Sequence, residues 1–322
     1  MEILFGGNLE NFITGRDRFC AAEAKEKENF CNLRCFMTEY HPDLLTYAII
    51  PLPAILPGTG RLDEWLKRGY HANMEWMVRT AETRKELKNF NGQNFNTAWI
   101  GLWKYPRSLQ KKHEPIAAYA HGADYHLTVG TILREWAMQV NGQPFIDSLP
   151  VAERELAAMA GLGFIGKNTM LINPKFGSGF FIGGILLNAD AGALQATPLH
   201  PQNGCAKCRK CIDACPNRAL TEDGFLDSRR CTSYLTIEYR GEFSEEQKEW
   251  AKHSVFGCDI CQRVCPYNAK HLAESKPYFL PGENEWKRKT IKGTPLWRAG
   301  TKNLKRNYIA FLQASVCLPP AF

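Results

Sequence analysis

Residues 204–220 read GCAKCRKCIDACPNRAL and carry four cysteines in the spacing C-x2-C-x2-C-x3-C, followed directly by Pro216. Three closely spaced thiolates on one tight loop can bind three irons of a [4Fe-4S] cluster, whereas the fourth cysteine, turned away by the proline, serves another cluster. The pattern therefore predicts an iron–sulfur protein that holds two clusters.

A second run, GCDICQRVCPYN at residues 257–268, repeats the end of this pattern but is one cysteine short. Cys231, in RRCTSYLTIE, supplies the missing thiol. Exchange of the fourth ligand between the two runs gives two predicted ligand sets: Cys205, Cys208, Cys211 and Cys265 for one cluster, and Cys215, Cys231, Cys258 and Cys261 for the other. The insertion between Cys231 and Cys258 is expected to be partly helical, at SEEQKEWAKH (244–253).

Zinc is the alternative metal for paired cysteines. A structural zinc site takes four thiolates, however, and does not require a C-x2-C-x2-C triplet followed by a proline. Disulfides are disfavoured in a reducing cytoplasm. Cys31 and Cys35, in CNLRC, do not complete a radical-SAM loop, because the third position is Thr38. These two, with Cys20 and Cys317, are interpreted as structural.

The region before the cysteines alternates helical and strand patterns. LLTYAIIPLP (44–53), TAWIGLWKY (97–105) and GFFIGGILLN (179–188) are typical of buried strands, and PFID (144–147) and KNTMLINP (167–174) of further strands. Helices are predicted at three places: 61–79, 129–140 and 151–160. This alternation indicates an α/β domain.

The stretch AGLGFIGKN, residues 160–168, matches the G-x-G-x-x-G pattern of a dinucleotide-binding loop. Such a loop follows a strand and opens a helix. Here the order is reversed, since a helical pattern precedes the glycines and a strand pattern follows. Gly161 is therefore predicted to end a helix in the left-handed conformation, and nicotinamide binding is disfavoured.

Asp147, in FIDSLPVAERE, stands between an apolar strand and a predicted helix. Two interpretations are compatible. Asp147 or Ser148 can cap the helix, with Pro150 in its first turn, and the end of a strand at the start of a helix is also where α/β domains meet their ligands.

Positive charge is concentrated near the carboxyl end. From Lys287 to Phe322 there are eight Lys or Arg and no Asp or Glu, while the whole chain carries a net charge of +7. Such a segment suits the phosphates of a nucleic acid, and a solvated basic tail is the alternative. The chain shows no export signal and no transmembrane run, so we expect a cytoplasmic protein without membrane association.

Five stretches together resemble the epoxyqueuosine reductase family, cobalamin-dependent iron–sulfur enzymes that complete queuosine synthesis on tRNA. They are IDSLPVAERELAAMAGLGFIGKNTMLI, GCAKCRKCIDACPNRAL, LDSRRCTSYLTIEYRG, FGCDICQRVCPYN and KGTPLWRAGTKNLKRN, in the order of the family. The resemblance extends from about Tyr105 to Tyr308. It implies an α/β (α+β) cobalamin-binding catalytic domain over 1–195, a ferredoxin-like domain with two [4Fe-4S] clusters over 196–275, and a basic tRNA-contacting segment over 276–322.

The resemblance also implies the chemistry. Base-off cobalamin, reduced through the clusters, would deoxygenate epoxyqueuosine at the tRNA wobble position, and an acid would protonate the departing oxygen. Asp147 matches the family's proton donor. Other positions match corrinoid contacts: Arg84, Leu171, Ile182, Ser233, Cys258 and Asp259. A flavodoxin- or ferredoxin-type reductant and a monomeric enzyme are expected.

The chain departs from the family at four positions that we expect to affect corrinoid or substrate contacts. Ala118, His121 and Ala123 replace an arginine, a tryptophan and an arginine, and Gly184 stands where glutamate is usual. Two alternatives remain. A corrinoid reductive dehalogenase shares the cofactors but normally carries an export signal, and a non-catalytic electron-transfer subunit would use the clusters without binding a corrinoid.

Overall fold

The computed structural model describes residues 41–90, 92–189, 204–274 and 286–316, with the side chains of 314–316 excepted. Cys20, Cys31, Cys35 and Cys317 lie outside these ranges. The described residues after Pro42 belong to one compact unit. The predicted boundaries at 195/196 and 275/276 also fall outside the described residues, so the three-domain division stays a prediction.

An antiparallel sheet forms the centre of the amino-terminal part. Its strands are β1 (Leu44–Pro51), β4 (Thr97–Lys104), β5 (Gln143–Phe145) and β8 (Phe180–Leu187), in the order β1-β4-β8-β5. Two short hairpins lie outside it, β2 (Asn89–Phe90) with β3 (Gln93–Asn94) and β6 (Phe164–Ile165) with β7 (Leu171–Ile172). The predicted mixture of helices and strands is confirmed, with antiparallel pairing throughout this sheet.

Helices cover both faces of the sheet. The helices of this part are α1 (Gly60–Lys67), α2 (Glu75–Arg79), α3 (Ala81–Lys85), α4 (Val129–Gln139) and α5 (Glu153–Met159). On one face, Trp99 and Trp103 of β4 pack against Trp136 of α4, with ring centroids 5.5 and 5.7 Å apart. On the other face, Ile100 joins a core with Leu156 of α5. Burial on both sides explains why β4 is apolar along its length rather than alternating.

The helix predicted over 61–79 is interrupted. Gly69 and Ala72 have φ values of 66° and 52°, and a residue in the left-handed region cannot continue a right-handed helix. Gly161, with φ 74°, ends α5 as predicted. The helix-cap interpretation of Asp147 and Ser148 is wrong, because α5 begins at Glu153 after Ala152.

The two glycines of β8 allow close packing of its neighbours. Gly184 pairs with Ile100 of β4 and Phe145 of β5. A Cβ at Gly184 would lie 2.2 Å from the carbonyl oxygen of Trp99 and 2.5 Å from the ring of Phe145. The Trp99 carbonyl and the Phe145 ring therefore leave no space for a side chain at 184, where the sequence resemblance predicts a glutamate.

The carboxyl-terminal part is helical. Its helices are α6 (Lys210–Ala214), α7 (Thr232–Ile237), α8 (Glu245–Ala251), α9 (Ile260–Arg263), α10 (Arg288–Ile291) and α11 (Gly300–Val316), with 3-10 turns at Ala118–Ala120, Ser228–Arg230, Pro266–His271 and Pro295–Arg298 along the described chain. The predicted helix in the insertion is α8, which begins with a capping box between Ser244 and Gln247.

Asn268 joins the second cysteine run to the start of β8. Its side chain is fully buried. The amide donates to Ser178 Oγ (2.9 Å) and to the carbonyl oxygen of Gln262 (2.7 Å), and its oxygen accepts the Ser178 N–H (2.7 Å). Three buried hydrogen bonds thus connect the second cysteine run to the segment before β8.

Candidate functional site

None of the eight clustered cysteines forms a disulfide bond. Four of them, Cys205, Cys208, Cys211 and Cys265, line one cavity of about 260 Å³, which Pro266 and Tyr267 also line. In the described part of the chain, no three Cys, His, Asp or Glu side chains converge on a single-ion site. The four thiols that surround this cavity are those predicted to share a cluster.

Lys167 holds the loop that carries the first cysteines. Its backbone N–H donates to Cys205 Sγ at 3.4 Å, and its ammonium group donates to the carbonyl oxygens of Ala206 (3.0 Å) and Cys208 (2.9 Å). The end of the glycine stretch 160–168 thus contacts the cysteine loop. The sequence interpretation missed this role, although a basic residue directly after Gly166 was a usable signal.

The other four cysteines interact with one another. Burial raises the pKa of the Cys261 thiol well above its ordinary value, and negative charge on Cys258, Cys231 and Cys215 raises it further. In the first group, burial raises the pKa of Cys211, with Cys205 and Cys265 adding to it. The thiols therefore fall into two groups, with Cys215 and Cys265 exchanged between the two sequence runs.

A cleft of about 1540 Å³ lies beside the first cysteine group, and Cys205 lines both spaces. Its walls come from the segment before and within α1, from α2 and α3, from the β5–α5 loop and from the loop 223–226. This volume exceeds the ~300–1,000 Å³ of ordinary small-molecule pockets, so the cleft can accept a large ligand.

Asp147 is exposed on the wall of this cleft. Its Oδ2 accepts the hydroxyl proton of Tyr125 at 2.6 Å, and its backbone N–H donates to Glu153 Oε1 at 2.6 Å. Its φ of 49° lies in the left-handed region, which aspartate adopts more readily than most residues. Side chain and backbone are therefore each held by a separate partner.

An aromatic group surrounds Tyr125. Its ring stacks on Phe181 at 4.3 Å and on His126 at 4.2 Å. Burial raises the pKa of Tyr119 well above its ordinary value, and Asp147, Tyr105 and Asp259 raise it further. Protonated tyrosines thus occupy the region between Asp147 and Asp259.

Arg84 reaches the same loop from α3. Its guanidinium donates to the carbonyl oxygen of Val151 at 3.2 Å and lies over the ring of Trp76, 5.4 Å from the centroid. Burial lowers its pKa, while the charges of Glu153 and Asp147 oppose that effect. Arg84 therefore supports the Asp147 loop and balances its acidic groups.

The remaining predicted corrinoid contacts lie away from the lining of this cleft. Leu171 is buried on β7, and Ile182 of β8 packs against the same core. Ser233 is half-buried in the first turn of α7, and Cys258 belongs to the second cysteine group. Asp259 accepts the backbone N–H of Ala118 at 2.7 Å, and burial raises its pKa to about 6.

The residues at two of the departure positions make identifiable local contacts. At position 118 the backbone N–H makes the bond to Asp259, so that bond does not depend on the side chain. His121 Nε2 lies 3.3 Å from the carbonyl oxygen of Ile116 and 3.7 Å from Glu114, and burial lowers its pKa. Nothing in the structure explains Ala123.

The basic segment near the carboxyl end has an exposed part and an anchored part. Lys287, Arg288 and Lys289 are exposed, and the guanidinium of Arg288 lies over Trp297, 5.2 Å from the ring centroid. Trp297 is 42% exposed. Its neighbour Arg298 lines the cleft that contains Asp147, so this surface adjoins the cleft.

Arg306 belongs to the anchored part. Its guanidinium donates to the carbonyl oxygens of Leu235, Tyr239 and Gly241 and lies 3.8 Å from the ring centroid of Phe243. Burial lowers its pKa to about 10. Although it lies in the basic run, Arg306 binds the protein itself.

No helix within the described ranges is both long and apolar enough to cross a membrane.

Comparison with known proteins identifies the iron–sulfur part. Residues 204–268 match the family described as "4Fe-4S double cluster binding domain". This range contains all eight clustered cysteines.

Curated relatives extend the similarity beyond that range. The chain is 37% identical over 221 residues to epoxyqueuosine reductase of Aliivibrio fischeri, a match that covers 64% of this chain and 58% of that protein. It is 36% identical over 274 residues to epoxyqueuosine reductase of Leadbetterella byssophila, covering 79% of this chain and 88% of that protein.

Solved structures agree. The structure of epoxyqueuosine reductase from Streptococcus thermophilus superposes with a TM-score of 0.69 at 25% identity, covering 88% of this chain and 80% of that one. A second epoxyqueuosine reductase, crystallised with an epoxyqueuosine-modified tRNA-Tyr stem loop, superposes with a TM-score of 0.70 at 21% identity, covering 89% and 80%, and shows the shared fold. The chain belongs to the epoxyqueuosine reductase family.

Proposed function

We propose that this chain reduces epoxyqueuosine to queuosine at the wobble position of tRNA. The observation that carries the proposal is Asp147, held by Tyr125 and Glu153 on the wall of a large cleft that reaches Cys205. An acid beside a cleft and beside an electron-carrying centre is the arrangement that a reductive deoxygenation needs.

The two cysteine groups are proposed to bind two [4Fe-4S] clusters. One is assigned to Cys205, Cys208, Cys211 and Cys265, and the other to Cys215, Cys231, Cys258 and Cys261. The 260 Å³ space between the first four thiols supports this assignment. So do the N–H groups of Lys167 and Ala219, which donate to Cys205 Sγ and to Cys215 Sγ at 3.4 and 3.3 Å, because such bonds tune cluster potentials.

The cleft is the proposed site of base-off cobalamin. Its 1540 Å³ volume and its mixed lining, with Trp65, Trp76 and Arg84 among the residues, fit a large amphipathic cofactor. Bound there, cobalamin would supply the electrons of the reaction, which it would receive through the clusters. Five further residues, Leu171, Ile182, Ser233, Cys258 and Asp259, lie outside the lining of this cleft, so their proposed role as corrinoid contacts rests on the family resemblance alone.

Asp147 is the proposed proton donor. Removal of an epoxide oxygen as water consumes two electrons and two protons, and an acid must reach the oxygen as the C–O bond breaks. Asp147 is exposed to the cleft, and the Tyr125 hydroxyl fixes the direction of its carboxyl group. The proposed contribution of this chain is therefore to hold the carboxyl group of Asp147 where it can donate one proton to the departing oxygen.

The tRNA is proposed to contact the exposed basic surface formed by Lys287, Arg288, Lys289 and Trp297. Phosphates suit the cationic groups, and unstacked bases of an RNA loop stack on aromatic rings. Arg298 connects this surface to the cleft, so an anticodon loop that lies on it can present its wobble base to Asp147.

The test begins with protein purified anaerobically and supplied with cobalamin. We expect about eight irons per chain, a Co(II) EPR signal without nitrogen superhyperfine splitting, and conversion of epoxyqueuosine in tRNA. Asp147→Asn should retain both cofactors and lose turnover, whereas Asp63→Asn, which alters a surface partner of Lys85, should not.

Each outcome separates one interpretation from another. Eight irons without corrinoid binding and without turnover would instead indicate an electron-transfer protein. Cobalamin binding with dehalogenation but no action on tRNA would indicate a reductive dehalogenase. Turnover by Asp147→Asn at the wild-type rate would remove the proton-donor assignment alone.

A further inference from the structure

The β5–α5 loop contains a second acid that the reaction as described does not use. Glu153 is the first residue of α5 and lines the same cleft as Asp147. Its Oε1 accepts the backbone N–H of Asp147 at 2.6 Å, six residues earlier in the chain. The bond closes the loop between the strand and the helix.

This bond acts on a backbone conformation that needs support. Asp147 has φ 49°, and a non-glycine residue persists in the left-handed region only where its surroundings offset the cost of that conformation. Because φ at this residue sets the direction of the side chain, the same bond controls whether the carboxyl group meets the Tyr125 hydroxyl.

Other contacts restrain the loop less directly. Arg84 bonds the carbonyl oxygen of Val151, four residues beyond Asp147, and Tyr125 bonds the Asp147 side chain. Arg154, next to Glu153, donates to the carbonyl oxygen of Thr169 at 2.5 Å. Among the hydrogen bonds of the described residues, the bond that Glu153 accepts is the one that restrains the backbone of Asp147 itself.

Burial of Glu153 raises the pKa of its carboxyl group well above the ordinary value, and the negative charge of Asp147 adds to this effect. The N–H of Asp147 and the charges of Arg84 and Arg154 act in the opposite direction. A neutral Glu153 still accepts the N–H bond through its carbonyl oxygen, so the restraint does not require ionisation.

We propose that Glu153 is a positioning residue that fixes the Asp147 loop in its reactive conformation through the Asp147 N–H. The inference rests on the proposed function for its catalytic consequence, but the restraint itself belongs to the protein without any cofactor. Glutamine at this position keeps an oxygen acceptor of the same reach, and alanine removes it.

The first experiment measures backbone amide hydrogen exchange in the full chain, by mass spectrometry of peptides that cover residues 145–149. Loss of one hydrogen bond should accelerate exchange at the Asp147 amide by about fivefold in Glu153→Ala, and Glu153→Gln should restore the wild-type rate. Glu82→Gln is the control, because the side chain of Glu82 is 80% exposed and pairs with Lys85 on the surface. Equal exchange in wild type and Glu153→Ala would overturn the proposal.

The second experiment measures steady-state reduction of epoxyqueuosine-tRNA with excess reductant. Glu153→Ala should lower kcat by roughly tenfold with KM for tRNA unchanged, since the loop affects the reacting geometry and not uniform binding. Glu153→Gln should lie within about threefold of wild type. Faster exchange in Glu153→Ala without any loss of kcat would refute the positioning role.

The two measurements separate this inference from the function on which it rests. If wild type does not reduce epoxyqueuosine-tRNA while the exchange result holds, the proposed function fails and the restraint stands. If wild type is active and Glu153→Gln is as impaired as Glu153→Ala, the side chain acts by something other than accepting a hydrogen bond, and the proposal fails.

Discussion

Replacement of Tyr125 by phenylalanine tests how much the orientation of Asp147 contributes to the reaction. The ring stacks on Phe181 and His126, and phenylalanine preserves both contacts. The only atom removed is the hydroxyl oxygen that donates to Asp147 at 2.6 Å. The substitution therefore isolates one hydrogen bond.

The magnitude follows from the geometry of that bond. A length of 2.6 Å falls in the range of O–H···O hydrogen bonds, and one such bond contributes about 0.5–1.5 kcal/mol. If the orientation it imposes is needed in the transition state, kcat should fall roughly 2- to 10-fold. KM for tRNA should not change, because Tyr125 restrains the acid and does not bind the RNA.

The assay is steady-state conversion of epoxyqueuosine-tRNA with excess reductant at several tRNA concentrations, with the nucleosides separated after digestion. Iron and cobalamin content are measured on the same samples, so that loss of a cofactor is not mistaken for loss of chemistry. Tyr47→Phe is the matched control, since Tyr47 stacks on Trp99 of the sheet and lies outside the cleft lining. Wild-type kcat in fully loaded Tyr125→Phe would refute the argument that the hydroxyl places the acid.

Three further predictions concern stability, RNA binding and pH. Asn268→Leu removes three buried hydrogen bonds and should lower the free energy of unfolding by about 3 kcal/mol; a shift below about 0.5 kcal/mol in urea unfolding would contradict the role given to this contact. Joint replacement of Lys287 and Lys289 by glutamate should weaken tRNA binding and reduce the salt slope by about 2, whereas Lys248→Glu on α8 should change neither, and an unchanged slope would return the segment to a solvated tail. Because Glu153 holds its proton more tightly in the folded state, the unfolded state binds fewer protons once pH exceeds the ordinary glutamate value, and folding stability contributed by this group falls as pH rises. The melting temperature of Glu153→Gln relative to wild type should therefore increase between pH 5 and pH 8, and a difference independent of pH would be inconsistent with this.

Local patterns predicted the elements whose signals are contained in one stretch of chain. Strands β1, β4 and β8 and helices α4 and α8 form where apolar spacing placed them. Spacing also predicted the exchange of Cys215 and Cys265 between two clusters. Cys265 lines the cavity of the first cysteine group, and the ligand assignment itself stays a prediction.

Contacts between distant segments were not predictable in the same way. Lys167 lies 38 residues before the cysteine whose sulfur it meets, and Tyr125 lies 22 residues before Asp147. The periodicity of apolar residues in a sequence does not show which distant residues will be in contact. The split of the helix predicted over 61–79 has a similar cause, since Ala72 is a good helix former that adopts a left-handed conformation here.

The same limit applies to charge. Arg306 stands in a run of exposed cations in the sequence, yet it binds backbone carbonyl oxygens and an aromatic ring. The composition of the segment gives its total charge. The direction of the Arg306 side chain depends instead on its partners in α7 and in the loop after that helix. Charge reversal at Arg306 would therefore lower the stability of the fold, so a loss of RNA binding in that variant would not show that Arg306 contacts RNA.

The contact between Gly184 and Phe145 constrains how this sequence can evolve. A glutamate at 184 cannot be introduced while the phenyl ring occupies the adjoining space, and truncation of the ring alone would leave a void in the core. The Cβ of any side chain at 184 would also lie 2.2 Å from the backbone carbonyl oxygen of Trp99, and truncation of the Phe145 ring does not remove that oxygen. A glutamate at this position therefore requires a change in the spacing of strands β4 and β8, not only a smaller neighbour.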